Sequence, residues 1–336
     1  MSKTLNWGIL GTGSIAGIFT RGLADSETGR LVAVGSRTQE TANAFGERWQ
    51  VPHRYGSYEQ VLADPDVQVV YIATPHPQHK LWAIRAAEAG KHILCEKPLA
   101  VNYRDAFAIV VAADRHKVFL MEAFMYLCHP QTAKLVELIR SGAIGAVRVV
   151  QANFSFHADM QPEGRLFNPT LGGGGILDVG GYCVSMARLI AGVAIGKDVA
   201  DPLELEAIGH IGSTGVDEYT IAALRFSGDI LAQLFVGIQV LGENDVRIFG
   251  SEGMIRIPVP WVPSPHGGKS SIFIKRNDEE TEREIVIDSP RDIYALEADT
   301  VAAYIEARQA PAMPWHDTLG NIRAMDLWRA ALGLPV

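Results

Sequence analysis

Residues 11–16, Gly-Thr-Gly-Ser-Ile-Ala, have the spacing that binding of a dinucleotide requires. They follow an apolar run and precede a helix-like stretch. Gly11 permits a tight turn, Gly13 lets the backbone approach a pyrophosphate, and Ala16 is small enough for the helix to pack closely on the strand. The free N–H groups of the helix would bind the phosphates. The alternative is an ordinary strand-to-helix turn. We predict a dinucleotide site that includes Gly11, Thr12, Gly13, Ser14 and Ile15.

The end of the second predicted strand indicates which dinucleotide is bound. Ser36, Arg37 and Thr38 stand where an NAD enzyme commonly carries a carboxylate for the ribose hydroxyls. Hydroxyl groups and a guanidinium bind a 2′-phosphate, which a carboxylate would repel. We therefore predict NADP rather than NAD. The alternative is that Arg37 is a solvated surface residue.

Lys97 is a candidate for proton chemistry beside that cofactor. It belongs to the Cys-Glu-Lys-Pro stretch 95–98 at the end of an apolar run. Open α/β sheets bind ligands at the carboxyl ends of their strands, and Pro98 restricts the turn that follows. Most lysines are solvent-exposed, so a merely solvated Lys97 is the alternative.

Asp178 and Tyr182 are four residues apart, so a helix through them would place both side chains on one face. Gly180 and Gly181 would each weaken that helix by about 1 kcal/mol relative to alanine. This cost fits a backbone that lies close to a neighbour or cofactor. Because a nearby ammonium stabilises tyrosinate, we expect Lys97 to lower the pKa of Tyr182. The alternative is a glycine-rich loop with Asp178 as a helix cap.

The elements that must position these residues alternate between apolar strand-like runs and amphipathic helix-like stretches. This order predicts an open, parallel sheet of six strands in an α/β dinucleotide-binding (Rossmann) domain, residues 1–124. The apolar runs locate strands at 5–10, 31–36, 67–73, 92–95 and 118–122, with helices at 14–24, 38–49, 57–62, 78–89 and 103–115.

After residue 124 the pattern changes to that of an α+β domain, residues 125–336, with a large, mostly antiparallel open sheet. Hairpins are predicted at 221–236 and 246–257. The Pro-rich segment 258–268 is an irregular excursion that either borders the pocket or is a plain surface loop. The other predicted elements are helices at 130–140, 293–308 and 317–332, a helix after the glycine run, and a strand at 147–156.

Apolar residues recur along 231–241 of this second sheet. One face of such a sheet is covered by helices and the other by solvent or a partner. We predict that the second face is buried against another subunit, in a homodimer or homotetramer. The alternative is a sheet covered only by its own helices.

Composition excludes several classes of protein. The chain has 336 residues, of which 48% are hydrophobic and 20% charged, and this suits a soluble enzyme with two cores. The net charge of −8 argues against a general nucleic-acid or anionic-membrane binder, although a local basic pocket for a cofactor remains compatible with it. Residues 1–4 carry no export signal and no later apolar run approaches a membrane span, so we expect a cytoplasmic protein. Cys95, Cys128 and Cys183 lack metal spacing, so we expect reduced core thiols and no metal.

Three stretches together resemble the glucose-fructose oxidoreductase / inositol dehydrogenase / rhizopine-catabolism (Gfo/Idh/MocA) family over nearly the full chain. They are Thr-Pro-His-Pro-Gln-His at 74–79, Ala-Gly-Lys at 89–91 leading to Cys-Glu-Lys-Pro at 95–98, and Gly-Gly-Gly-Gly-Ile-Leu-Asp-Val-Gly-Gly-Tyr at 172–182. The branch of dimeric dihydrodiol dehydrogenases and NADP-linked xylose dehydrogenases is the most similar. The resemblance implies that Lys97 lies against the nicotinamide and the substrate hydroxyl. It also implies a cis Lys97–Pro98 bond and an acid-base role for Tyr182.

Supporting roles follow from the same resemblance and from position. Glu96 would contact the nicotinamide ribose, and His79 would be structural or adjacent to the cofactor. Arg165 and Phe167, in the loop before the glycine run, are candidate substrate residues, although Arg165 could equally pair with a surface carboxylate. The predicted cofactor contacts beyond the first two strands are Thr74, Pro75, His76, His79, Glu96 and Lys97.

These residues predict proton and hydride transfer at a hydroxyl group, and the resemblance implies that the protein is an NADP-dependent oxidoreductase acting on a sugar, polyol or cyclic diol. The substrate proton would pass to Tyr182 or Lys97, while Asp178 would hold a substrate hydroxyl or orient Lys97. One alternative is an aldose-aldose or glucose-fructose type oxidoreductase that keeps and recycles its NADP. Others are a non-catalytic NADP-binding sensor and a sugar hydrolase that uses tightly held NAD.

Overall fold

The structure is a computed structural model that describes residues 4–336. The predicted lack of an export signal therefore concerns residues that lie mostly outside the described ones. The described residues form two sheets, and one continuous hydrophobic core extends through both parts of the chain.

The first sheet is parallel throughout, as predicted. Its strands are β1 (Leu5–Leu10), β2 (Gly29–Gly35), β3 (His53–Tyr55), β4 (Val69–Ile72), β5 (His92–Glu96) and β6 (Leu120–Ala123). Their order is β3-β2-β1-β4-β5-β6, so the strand order reverses between β1 and β4. β2 and β3 lie on one side of β1, and β4, β5 and β6 lie on the other. β1, β4 and β5 are buried on both faces, which explains why they read as continuous apolar runs. β3 has only three residues and no apolar run, which explains why it is the one of the six predicted strands that could not be located from the sequence.

Five helices accompany this sheet: α1 (Ser14–Leu23), α2 (Gln39–Trp49), α3 (Tyr58–Ala63), α4 (His79–Glu88) and α5 (Tyr103–His116). Side-chain oxygens of Thr38, Ser57 and Asn102 cap α2, α3 and α5, which explains where these helices begin. At α1 the capping position is Gly13, which has no side chain to offer, so the N–H groups of its first turn face the space in front of the helix.

The second sheet has eight strands in the order β14-β13-β12-β11-β7-β10-β9-β8. They are β7 (Val147–Ser155), β8 (Glu204–Ile211), β9 (Asp217–Phe226), β10 (Ile230–Gly237), β11 (Val246–Gly250), β12 (Gly253–Ile257), β13 (His266–Arg276) and β14 (Arg283–Asp292). All neighbours pair antiparallel except β7 and β10, which confirms the mostly antiparallel sheet. The hairpins β9–β10 and β11–β12 lie where they were predicted.

The helices of the second part are α6 (Pro130–Arg140), α7 (Gly181–Ala194), α8 (Ile293–Tyr304) and α9 (Trp315–Ala331). α6, α7 and α9 contact one face of the second sheet, while α8 packs against α1 of the first part. On the opposite face of β8, β9 and β10, several apolar side chains are exposed, among them Ile208, Tyr219, Ile221 and Leu231.

One helical segment, Pro169–Ala194, is long and apolar enough to cross a membrane by length and composition alone. The expectation that no apolar run approaches this length was therefore wrong. The segment is almost completely buried inside the fold, because α7 is covered by the second sheet, α6 and α9. Burial on all sides accounts for a helix that is apolar all round.

Candidate active site

The carboxyl ends of β1, β4 and β5 face the second part of the chain across a cleft of about 890 Å³. Sixteen predicted site residues line it together, although they come from distant parts of the sequence. They are Gly11, Thr12, Gly13, Ser14, Ile15, Ser36, Arg37, Thr38, Thr74, Pro75, His76, Glu96, Lys97, Arg165, Asp178 and Tyr182. Eight further residues that were not predicted as site residues also line the cleft: Thr41, Tyr58, Ala73, Gln78, Ala123, Met125, Val262 and Tyr294.

The glycine turn after β1 leaves room for a phosphate group. Gly11 has φ +112°, and a Cβ there would lie 2.7 Å from the carbonyl oxygen of Ala73, so only glycine fits. A Cβ at Gly13 would meet no protein atom within 4 Å. This open space lies at the uncapped start of α1, whose N–H groups and positive dipole suit an anion. The turn therefore fits the pyrophosphate of a dinucleotide.

Hydroxyl groups and a guanidinium form the neighbouring wall of the cleft. The Ser36 hydroxyl lies 3.0 Å from that of Thr12 and accepts a hydrogen bond of 2.6 Å from the Thr41 hydroxyl. Arg37 is exposed, and within residues 4–336 no carboxylate lies in ion-pair distance of it. Its positive charge is therefore free to bind a ligand anion, and the described residues place no carboxylate there to repel one.

Lys97 and Asp178 meet at the other end of the cleft. The Lys97 ammonium donates a hydrogen bond of 2.7 Å to the backbone oxygen of Asp178 and lies 3.7 Å from its Oδ1. Arg165 donates a 2.8 Å hydrogen bond to the same Oδ1. Burial alone would raise the pKa of Asp178, but the two cations more than offset it and hold that pKa below its ordinary value. Asp178 is thus an ionised acceptor that orients both cations.

The backbone around Lys97 is fixed by buried neighbours. The Lys97–Pro98 peptide is cis, as the resemblance implied. Glu122 on β6 accepts the N–H of Leu99 at 2.8 Å. Both ring nitrogens of His79 lie 2.8 Å from carbonyl oxygens, those of Pro98 and Thr74. His79 is fully buried and lies behind the wall of the cleft, so it supports the turn and does not face the cofactor space.

Tyr182 lies beneath Lys97 in an aromatic cluster. The ammonium is 5.2 Å from the centroid of its ring, whereas the Tyr182 hydroxyl lies 3.6 Å from Sδ of Met125. Burial raises the pKa of Tyr182 well above its ordinary value, and nearby Tyr294 and Glu96 add to the rise. The expectation that Lys97 lowers this pKa was therefore wrong. The charge faces the ring and not the oxygen, so desolvation dominates.

Asp178 and Tyr182 reach the cleft from one continuous helical segment, but not from a regular α-helix. Residues Ile176–Gly180 form a π-helical turn that leads directly into α7. Such single turns add a residue to the α-helical repeat and are frequent at functional sites. A Cβ on Gly181 would lie 3.2 Å from Sδ of Met325 and 3.4 Å from Phe124. Gly181 thus lets the helix backbone lie close to neighbouring side chains of the protein. The sequence had suggested either such a neighbour or the cofactor as the reason for glycine here.

Of the remaining predicted residues, Glu96 and His76 line the cleft beside these groups, whereas Phe167 lies outside it. Glu96 is buried and accepts hydrogen bonds from the Tyr71 hydroxyl and, at 3.2 Å, from the Lys97 N–H. Burial, together with His79, Lys97 and Arg165, lowers the pKa of His76 to about 3, so this ring is neutral. Phe167 does not line the cleft. It is buried in a small apolar cluster with Val216 and Ile238, because an aromatic ring in this loop is stabilised by packing.

Tyr294 and Val262 had little sequence signal as site residues. Tyr294 stands at the start of α8 and Val262 in the Pro-rich segment, both more than 70 residues beyond Tyr182. The Pro-rich segment thus borders the cleft, one of the two alternatives left open for it. Trp261, also in this segment, packs 5.8 Å from the Tyr182 ring.

Within residues 4–336, one group of potential metal ligands comes together, formed by His53, Asp64 and Asp66. It lies at the amino ends of the strands of the first sheet, away from the cleft. Asp64 accepts hydrogen bonds from His53 at 2.7 Å, from Tyr55 at 3.1 Å and from the Asp66 N–H at 2.9 Å. These contacts account for the cluster without an ion.

Two family models match the chain. Residues 5–124 match the oxidoreductase family with an NAD-binding Rossmann fold, and residues 132–256 match the GFO/IDH/MocA C-terminal domain. The chain belongs to the Gfo/Idh/MocA family. The resemblance found from three stretches of sequence is thereby confirmed, and this family member is an NAD(P)-binding dehydrogenase or reductase.

Similarity to individual proteins agrees with this family assignment. The chain is 37% identical to the trans-1,2-dihydrobenzene-1,2-diol dehydrogenase of Mus musculus, over 77% of this chain and 76% of that protein. The structure of an aldose-aldose oxidoreductase from Caulobacter crescentus has a TM-score of 0.87 and 27% identity, and the match covers 98% of this chain and 97% of that one. A 3-ketoreductase from Actinomadura kijaniata, solved with NADP and TDP-benzene, has a TM-score of 0.85 and 26% identity, with 98% of both chains covered.

Proposed function

We propose that this family member is an NADP-dependent oxidoreductase that acts on a secondary or anomeric hydroxyl of a sugar, polyol or cyclic diol, or on the corresponding carbonyl. The observation that carries the proposal is the shared cleft. At one end it has an uncapped glycine turn, and at the other end Lys97, Asp178 and Tyr182 converge. The relatives named above, a diol dehydrogenase, an aldose-aldose oxidoreductase and a 3-ketoreductase, support this substrate class.

In this proposal the protein holds and moves the proton. The chemistry that bound nicotinamide supplies is the gain or loss of hydride at the substrate carbon. Lys97 uses one N–H to hold the Asp178 carbonyl, so its other N–H groups can polarise a substrate oxygen. Tyr182 keeps its proton at neutral pH because of its raised pKa, so it is suited to donate that proton to a carbonyl oxygen. The protonated phenol is the form that reduction of a carbonyl requires, and oxidation by the same residues requires its deprotonated form.

NADP is the proposed cofactor because of the wall formed by Ser36, Arg37 and Thr38. The Arg37 guanidinium is exposed, has no carboxylate partner among residues 4–336 and is flanked by hydroxyl groups, which makes it complementary to a 2′-phosphate. The solved 3-ketoreductase contains NADP, which agrees with this proposal.

The experiment that tests the function is a panel of aldoses, inositols and trans-cyclohexanediol, with their carbonyl counterparts. Each compound is assayed with NADP(H) and NAD(H) by the absorbance of reduced nicotinamide. We expect turnover in one compound class and preference for NADP(H). Binding of NADPH without turnover of any compound would contradict the proposed function.

A second candidate is an oxidoreductase that keeps its NADP and recycles it between two sugars. It is favoured by the structural similarity to the aldose-aldose oxidoreductase over nearly the whole chain. Dialysis followed by mass spectrometry distinguishes the two candidates. NADP that remains at one equivalent per chain, with sugar-dependent reduction of a second sugar, would favour the recycling enzyme.

We also propose that the exposed face of β8, β9 and β10 joins two copies of the chain. This face presents Ile208, Ile221 and Leu231, which are 70%, 41% and 47% exposed. Ile208 and Ile221 are paired neighbours on β8 and β9, and Leu231 lies on the same face of β10, and exposed large apolar side chains grouped on one sheet face are typical of an interaction surface. Sedimentation of wild-type protein and of Ile208→Lys tests the proposal, with dissociation expected in the variant. A wild-type protein that sediments as a monomer would contradict it.

A further inference from the structure

Asp217 is a buried carboxylic acid that the proposed mechanism does not use. It is the first residue of β9, and only 2% of its surface is exposed. Its Oδ2 accepts the N–H of Ile176 at 2.7 Å, at the start of the π-helical turn that carries Asp178. A carboxylate in this place satisfies a free N–H group and interacts favourably with the helix dipole.

The glycine run is shaped around this carboxyl group. Gly174 has φ +106°, and a Cβ on it would lie 2.2 Å from Oδ1 of Asp217. A Cβ on Gly175 would lie 3.3 Å from Oδ2. The carboxyl group thus occupies the space that side chains at 174 and 175 would need. Two glycines and Asp217 form one unit that fixes where the helical segment begins.

Asp178 is attached directly to this unit. Its N–H donates a hydrogen bond of 3.1 Å to the carbonyl oxygen of Gly174. Its own carbonyl oxygen accepts the Lys97 ammonium at 2.7 Å, and its carboxylate accepts Arg165 at 2.8 Å. A shift of Gly174 therefore moves Asp178, and a shift of Asp178 moves the acceptor that holds Lys97.

We propose that Asp217 is a positioning residue that sets the place of Asp178 and, through the Asp178 carbonyl, the place of the Lys97 ammonium. The inference rests on the proposed function insofar as Lys97 and Asp178 are its reacting groups. The contacts themselves do not depend on the substrate.

Asp217 has a further property that distinguishes positioning from simple packing. Burial raises its pKa to about 7, although the N–H groups of Ile176 and Gly175 and the charge of Arg329 oppose the rise. The carboxyl group is therefore protonated in acid, when it accepts the Ile176 N–H less strongly. Arg329 on α9 is the charged group that acts on this carboxyl group, and Arg329 is itself paired with Asp326. The other charged groups on the packed elements are Asp178 on the helical segment and the pair of His210 on β8 with Glu218 on β9.

The test compares Asp217→Asn and Asp217→Ala with wild type in the full-length protein. Asparagine keeps an oxygen acceptor without the charge, whereas alanine removes both. Asp64→Asn is the matched control, because Asp64 is also a little-exposed carboxyl group that accepts a backbone N–H, and it lies at the amino ends of the strands of the first sheet, away from the cleft. Dissociation of NADPH is measured in each variant, and we expect it to stay within about twofold of wild type.

Two measurements need no substrate. Hydrogen exchange of residues 174–182 follows the helical segment. Labelling by an amine-reactive reagent follows Lys97, which is the single lysine of peptide 92–104. In Asp217→Ala we expect both rates to change by about tenfold, with less change in Asp217→Asn and none for Lys80. Faster exchange with unchanged labelling of Lys97 would make Asp217 merely structural and would overturn the inference.

Where the substrate panel gives turnover, the pH profile adds a third measurement. We expect wild-type kcat to rise with pH through about 7 and this rise to be absent in Asp217→Asn, with kcat lowered about tenfold. An unchanged profile in Asp217→Asn would also overturn the inference. A failed substrate panel would contradict the proposed function alone, because the labelling measurement decides the role of Asp217 separately.

Discussion

The phosphate end of the cleft is formed by two short segments, residues 11–15 and 36–41, at the ends of adjacent strands. The reacting end collects Lys97, Arg165, Asp178 and Tyr182 from a cis-Pro turn, a loop and a helical segment. At the first end, backbone N–H groups and hydroxyls are placed by local turns and caps. At the second, charged groups hold one another in place. Substitutions at the first end should therefore change cofactor binding, and those at the second should change turnover.

The largest effect is expected for Lys97→Met. The variant loses the charge that polarises the substrate oxygen, so kcat should fall by about 10³-fold. NADPH dissociation should change far less, because the phosphate end is untouched. Both are measured by steady-state kinetics and by fluorescence titration. Lys80→Met, which removes a surface ion pair with Asp105, is the matched control. If the affinity of Lys97→Met for NADPH fell by the same factor as its kcat, the two ends of the cleft would not have separate roles in cofactor binding and turnover.

Tyr182→Phe should have the next largest effect. It removes one hydroxyl from the aromatic cluster, keeps the ring under the Lys97 ammonium, and should lower kcat by about 10²-fold. Since the pKa of Tyr182 is raised well above its ordinary value, the phenol stays protonated at neutral pH. The reduction rate should therefore not decline between pH 6 and 9 through ionisation of this phenol.

Tyr126→Phe is the control for this variant. Its hydroxyl donates to Ser185 at 2.8 Å and its ring packs 5.9 Å from that of Tyr182, but it does not line the cleft. Equal losses of kcat in the two variants would show that the cluster acts through packing and not through the Tyr182 hydroxyl.

Arg37→Ala tests the other end of the comparison. It should weaken NADPH binding by about tenfold or more and leave NADH binding nearly unchanged, because only NADPH has the 2′-phosphate. With saturating cofactor, kcat should stay close to wild type. Arg48→Ala, an exposed arginine over Trp49 on α2, is the control. Equal weakening of both cofactors would mean that Arg37 binds something other than the 2′-phosphate.

The sequence predicted these two ends unequally well. The glycine turn after β1, the helix start at Thr38 and the hairpin β9–β10 depend on neighbours a few residues away, so local sequence patterns were enough to predict them. The pKa of Tyr182 depends instead on which atom the Lys97 ammonium faces, and this is set by packing between distant segments. For the same reason, neither Tyr294 in the cleft nor Phe167 outside it could be placed from local pattern.

The smallest effect on the reaction is expected for Glu122→Gln, which lies behind the reacting end. Glutamine can still accept the Leu99 N–H, so the turn that carries Lys97 keeps its support. The main expected effect of Glu122→Gln is on the stability of the folded protein. Burial raises the pKa of Glu122 to about 8. The folded protein therefore holds this proton in a range where the unfolded chain has released it, and stability is lost as pH rises from the unfolded pKa through about 8.

Glu122→Gln removes that loss, so the variant should gain stability relative to wild type as pH rises. Between about pH 5.5 and 8.5 the gain should be on the order of 1–3 kcal/mol in the free energy of unfolding. Urea denaturation at both pH values measures it, with Glu59→Gln, an exposed partner of Arg85, as control. A difference from wild type that is independent of pH would mean that Glu122 is already ionised in the folded protein. The turn at Lys97 would then be held by a charge, as Asp178 holds the ammonium in front of it.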